Sequence, residues 1–188
     1  NGGIATVSGR LVADTVLNRA EGEIFIDDGR LDGDVANSGL IRGNGSIYGT
    51  VTNAGTVQTL NDPDDATNLY IQRLVNNGTL TVSGNDTLSS SEAVRSETVA
   101  GGVTSVSVNV SGVLATGLFN GSGSTLNMQT DDAEVRNNLT NVGTANIRGT
   151  VGGTLVNQGT VLTNNGDVTV GRLENAATGT VTVRTGDT

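Results

Sequence analysis

The 188-residue sequence predicts an all-β fold, a parallel β-helix (β-solenoid) of about nine coils with roughly 20 residues in each. Three observations predict it. A phrase built on Asn-x-Gly-Thr and followed by alternating aliphatic residues recurs along the chain. Runs such as Thr79-Leu80-Thr81-Val82, Val106-Ser107-Val108-Asn109-Val110 and Val181-Thr182-Val183 alternate apolar with small polar residues, the period of a half-buried strand. No window carries the i, i+3, i+4, i+7 apolar pattern of a helix, which also sets aside a leucine-rich horseshoe of similar period.

The phrase begins weakly at Val35-Ala36-Asn37-Ser38-Gly39-Leu40-Ile41 and is clear at Val51-Thr52-Asn53-Ala54-Gly55-Thr56-Val57 and Leu74-Val75-Asn76-Asn77-Gly78-Thr79-Leu80. After a weak copy at Leu118-Phe119-Asn120-Gly121 it returns at Leu139-Thr140-Asn141-Val142-Gly143-Thr144 and Leu155-Val156-Asn157-Gln158-Gly159-Thr160-Val161. It ends at Leu173-Glu174-Asn175, which reaches Gly179-Thr180-Val181 after a small insertion. With Asn18 as the first register mark, the asparagines are 19, 16, 23, 44, 21, 16 and 18 residues apart. The longest interval reads as two coils with one degenerate mark near Val99-Ala100-Gly101-Gly102-Val103.

The Asn-x-Gly pairs suit corners, because Gly is unstrained at positive φ and Asn bonds its own backbone. Asparagines at the same corner of successive coils can stack as an amide ladder. Ordering a single coil costs more than its few aliphatic side chains return, so coils must stabilise one another by stacking. Nine coils at roughly 4.8 Å spacing make a rod about 45 Å long. Val57, Leu80, Leu155 and Val161 are expected to face inward.

Hydrophobic residues make up 35% and aromatics 2%, with 28 Gly and 1 Pro, which suits a thin aliphatic core. Cys, His, Lys and Trp do not occur. The net charge of −9, with arginine as the sole cation, disfavours nucleic acid and anionic membrane surfaces as partners, since both need basic footprints. No run approaches the roughly 18 apolar residues of a membrane span.

The phrases GTVTNAGTVQT, LVNNGTLTVSG and GTLVNQGTVLTNNGDVTVGRLEN resemble the right-handed β-helical passenger regions of bacterial autotransporters and of filamentous-haemagglutinin-like two-partner-secretion proteins, which implies a right-handed parallel β-helix here. The resemblance implies an extracellular or bacterial cell-surface location and a role as an adhesin or structural stalk. The implied partners are a host or cell-surface receptor or glycan, or copies of the chain itself. It supplies no catalytic residues. Residues 1–188 are expected to form a single solenoid domain, a segment or processed product of a longer exported protein, because the repeat pattern is under way at Asn1-Gly2-Gly3-Ile4.

Two stretches break the rhythm, Leu60 to Asn68 and Ser83 to Thr98. Both read as loops leaving a corner, where recognition usually resides. The candidate recognition residues are Asp62, Asp64, Asp65, Asn85, Asp86, Glu92 and Arg95. Asp62, Asp64 and Asp65 are also weak candidates for calcium ligands, but neither the EF-hand spacing nor a calcium β-roll nonapeptide is present, so a solvated acidic turn is favoured and no cofactor or metal is expected. Gly43-Asn44-Gly45-Ser46 superficially matches a phosphate loop, but no helix follows, and it reads as a corner.

Without His, Cys or Lys, a Ser-His or Cys-His nucleophile and an amine base are excluded. Carboxylates with Arg73 leave a polysaccharide-active β-helix enzyme as an alternative, though sugar sites favour aromatic platforms, and Phe25 and Phe119 sit in apolar strand context. The expectation is a non-catalytic module, with a self-assembling filament subunit as the other alternative.

Overall fold

The structure, a computed structural model, describes residues 2–60, 64–98 and 106–188. It is a parallel β-solenoid, with no helix among the described residues. Each coil runs through three short strand stretches, and every stretch pairs in parallel with its counterpart one coil away. The third coil carries all three in one run, Leu40–Asn53, with register shifts where it bends.

The alternation in sequence becomes an inside and an outside. Ile41, Val57, Leu80, Val108, Leu126 and Val161 stack along the first face, and Leu31, Ile47, Leu69, Leu88, Leu114 and Val135 along the second. Val35, Val51, Leu74, Val94, Leu118, Leu139 and Leu155 close the third. All belong to one continuous apolar column. The intervening Thr, Ser, Asp and Arg face water. Val57, Leu80, Leu155 and Val161 are buried, as the alternation requires.

Corners between the first two faces need tight bends. Gly43 and Gly45 bracket Asn44 at φ of +132° and +119°, which side-chain-bearing residues rarely adopt. A Cβ on Gly43 would also lie 1.9 Å from the Ile26 carbonyl oxygen of the preceding coil. The glycine-rich stretch is therefore a corner.

The asparagine marks form a buried amide ladder at the end of the third face. Asn18 Nδ2 donates to Asn37 Oδ1, Asn37 to Asn53 and Asn53 to Asn76, each at 2.7 Å. The run resumes from Asn120 to Asn141 at 2.7 Å, then to Asn157 and Asn175 at 2.8 Å each. Every amide points the same way along the axis. The Nδ2 groups also donate to corner carbonyls, as Asn53 does to Gly55 and Thr79, so the ladder ties each corner to the next coil.

The degenerate mark expected near residues 99–103 lies outside the described residues. The rung itself is Ser96, in register with Asn76 on one side and Asn120 on the other. Asn76 Nδ2 donates to Ser96 Oγ at 3.1 Å, and Ser96 Oγ bonds Ser124 Oγ at 2.9 Å. The hydroxyl does not reach Asn120, whose buried Oδ1 has no partner among the described residues. Restoring an amide there, Ser96→Asn in a Ser124→Gly background to clear the competing hydroxyl, is expected to raise stability by about 1 kcal/mol over that background, read by urea unfolding. No gain would mean that the corner cannot accept the amide.

One sequence expectation needs correction. Ser83 to Thr98 is not a loop leaving a corner: Thr87–Ser89 and Val94–Ser96 are the second and third faces of a coil, with Leu88 and Val94 in the core. Each strand is three residues long, too short to show alternation. Phe25 and Phe119 face outward, and their rings lie under the Arg42 and Arg95 guanidiniums at 4.7 Å each.

Candidate functional site

The outward positions of the second face assemble an aromatic and charged sidewall. Tyr48 follows the inward Ile47 and Tyr70 precedes the inward Ile71, so alternation turns both rings out, with centroids 5.3 Å apart and planes tilted by 47°. One coil earlier, the Arg30 guanidinium sits 3.9 Å above the Tyr48 ring. Arg30 Nε donates to Asp32 Oδ1 at 2.5 Å, and Arg10 Nε to Asp32 Oδ2 at 2.6 Å. The Arg30 hydrogen bond first, helped by Arg10, holds the Asp32 carboxyl below the usual carboxylate range against the opposing effect of desolvation. On the next coil, Tyr70 Oη and Ser91 Oγ are 2.6 Å apart.

Beside Tyr70 lies an open groove of about 430 Å³ lined by Asp28, Asn44, Ser46, Asp65 and Thr67 as well as the ring itself. The corner builds it. Asp28 sits at φ 54°, held by Asn44 Nδ2 donating to its Oδ1 at 2.6 Å. Opposite, Thr67 is fixed by Asp86, whose Oδ1 accepts from the Thr67 backbone N–H at 3.0 Å and from its Oγ1 at 2.8 Å.

Of the seven candidate recognition residues, the six that the structure describes do not converge. Asp62 lies outside the described residues, while Asp64 and Asp65 are exposed and only Asp65 lines the groove. Asn85 is exposed, but Asp86 is fully buried and anchors Thr67 instead of presenting a carboxylate to a ligand. Glu92 is exposed and faces Arg73 at 3.5 Å, and Arg95 faces Glu97 at 3.3 Å above Phe119. Arg73 is therefore engaged away from Asp64 and Asp65. Among the described residues no three carboxylates gather as metal ligands.

Asp28, Asn44, Ser46, Thr67 and Tyr70 were not singled out as site residues from the sequence. A signal was present: two tyrosines, each beside a core isoleucine, occur about one coil apart. A second polar cluster lies on a later coil, where Arg148 pairs with Asp131 through two bonds of 2.7 Å. That pairing lowers the Asp131 carboxyl and raises the Arg148 guanidinium from their ordinary values.

The fold and this sidewall define a parallel β-solenoid with a polar groove at one corner. The chain matches no protein-family profile, and no curated protein or solved structure is significantly similar to it.

Proposed function

We propose that this chain is a non-catalytic structural or adhesive solenoid module that works outside the cell or on a bacterial surface. One observation carries the reading. The inward positions keep register from coil to coil while the spacing of the ladder varies between 16 and 24 residues. A repeat that holds its strand register through such changes in length suits a support that presents loops.

The test compares the intact chain with one in which residues 60–66 are replaced by a short Gly-Asn-Gly corner like that of the third coil. Intact protein coated on beads is expected to retain host cells, and the shortened variant is expected to unfold at nearly the same temperature while retaining fewer. Absence of retention by the intact chain would overturn the adhesive reading. Cleavage of acidic polysaccharide by the intact chain, lost on joint replacement of Asp62, Asp64 and Asp65 by Asn, would favour the enzyme alternative instead.

The filament alternative draws on the two end coils. Ile4, Leu11, Val12 and Leu17 are exposed on the first, and Leu173 and Val183 on the last. An apolar funnel of about 170 Å³ opens there between residues such as Val161, Val170 and Val181. Open coil ends template further strands, either of the same polypeptide or of another copy. The last coil does carry a short polar closure that the sequence did not suggest: Asp187 accepts from Thr163 Oγ1 and from the Gly166 N–H, and Thr188 O accepts from Val168 N–H. Head-to-tail stacking would appear as concentration-dependent sedimentation and as fibres in electron microscopy.

A further inference from the structure

We infer that the groove beside Tyr70 is a saccharide-binding site for a neutral hexose unit of a glycan. The inference extends the adhesive reading by naming a ligand class and a place.

The lining is that of a polyol site. Asp28, Asn44, Ser46, Asp65 and Thr67 offer carboxylate, amide and hydroxyl groups around a cleft whose remaining wall is the Tyr70 ring. Vicinal sugar hydroxyls donate to carboxylates and amide oxygens and accept from amide N–H groups, while the C–H face of a pyranose packs on an aromatic ring. At about 430 Å³ the groove falls in the roughly 300–1,000 Å³ range of small-molecule sites. Three of its wall side chains are held in place. Asp28 is held by Asn44 at 2.6 Å, Thr67 by buried Asp86 at 2.8 Å, and Tyr70 by Ser91 at 2.6 Å, so little rotamer freedom remains to be lost on binding.

Charge selects among sugars. Asp28 and Asp65 on the walls, in a chain of net charge −9, oppose uronates, sulfated sugars and phosphates. Arg10 and Arg30 are both committed to Asp32 outside the lining, so they neither attract an anion into the groove nor offset its two carboxylates. The aromatic wall with its amide and hydroxyl groups favours a neutral polyol. A cation-binding groove is the competing outcome and is read in the same experiment.

The probes are soluble hexamers of glucose, mannose and galactose, with polygalacturonate as the anionic comparison and hexalysine as the cationic one, titrated into the full chain by calorimetry. At least one neutral hexamer is expected to bind at micromolar to millimolar concentration, with polygalacturonate silent. Tyr70→Ala is expected to weaken binding at least tenfold. Tyr70→Phe, which keeps the ring and loses the Ser91 bond, should stay within about threefold. Ser46→Leu fills the groove from the strand paired with Tyr70 and should abolish binding with the Tyr70 ring still in place. Unchanged thermal unfolding of Tyr70→Ala and Ser46→Leu excludes misfolding as the cause. No binding of any neutral hexamer, tighter binding of hexalysine or polygalacturonate, or binding indifferent to both variants overturns the inference. Retention of cells by a chain that binds no neutral sugar would leave the adhesive reading standing and remove this one alone.

Discussion

Asn53→Ala is expected to lower unfolding free energy by about 3 kcal/mol, because buried polar groups left unpaired cost roughly 1–3 kcal/mol each. Asn53 is fully buried, accepts from Asn37 Nδ2 at 2.7 Å, and donates to Asn76 Oδ1 at 2.7 Å and to the Thr79 carbonyl at 3.0 Å. Alanine removes an acceptor from one neighbour and a donor from the other, and it leaves a cavity at a corner shared by three coils. Asn175→Ala is the internal comparison. Its side chain sits at the exposed end of the ladder, and apart from the Asn157 rung its one amide bond is to Gly179 at 2.9 Å, so the loss should stay below about 1 kcal/mol. Equal effects at the two positions, measured by urea unfolding, would mean that the rungs do not act as a buried ladder.

The corner after the ladder should be still less tolerant. A Cβ on Gly55 would lie 2.2 Å from the Gly39 carbonyl oxygen and 2.5 Å from the Ser38 carbonyl carbon, both backbone atoms of the preceding coil. One coil on, Gly78 repeats the contact at 2.2 Å from the Gly55 oxygen. No flexible side chain can yield, so Gly55→Ala must push two coils apart along the stacking direction. Overpacking of this kind typically costs 1–3 kcal/mol, and the lost corner hydrogen bonds take the expected total to about 4 kcal/mol. Gly9→Ala, at a position with nothing within 4 Å of the added methyl, should leave the melting temperature nearly unchanged. A tolerated Gly55→Ala would place the coils farther apart at this corner than described.

These two positions explain how much of the fold the residue pattern reveals. Asn and Gly recur at Asn53-Ala54-Gly55 and Asn157-Gln158-Gly159 because each corner meets the same corner above and below, and that mutual contact imposes identity. The aliphatic positions are looser, requiring only an apolar side chain, yet strict alternation still exposes them. Legibility fails where a coil departs from the rule. Ser96 replaces a rung, and the strands on either side of Glu92 contribute only Leu88 and Val94 to the core, so that coil reads as a loop. The outward aromatics fail for another reason: whether Phe25 or Phe119 points in or out depends on register, which one residue of slip reverses.

The groove was less legible than the fold. Its walls come from three coils: Asp28 from one, Asn44 and Ser46 from the next, and Asp65, Thr67 and Tyr70 from the third. Only stacking brings them together. Asp65 was visible as part of an acidic turn, whereas Asp86 looked identical by composition and is buried under Thr67. Local sequence does not distinguish a carboxylate that fixes a corner from one that faces water.

The coils stack in parallel register through an asparagine ladder of two runs separated at Ser96, and side-chain amide NMR tests this most directly. Cross-coil NOEs are predicted between the Nδ2 protons of Asn37, Asn53 and Asn76, and separately among those of Asn120, Asn141 and Asn157, with slow hydrogen exchange and an interruption at Ser96. Side-chain amides that exchange at solvent rates, or helical NOE patterns recurring every 20 or so residues, would contradict it.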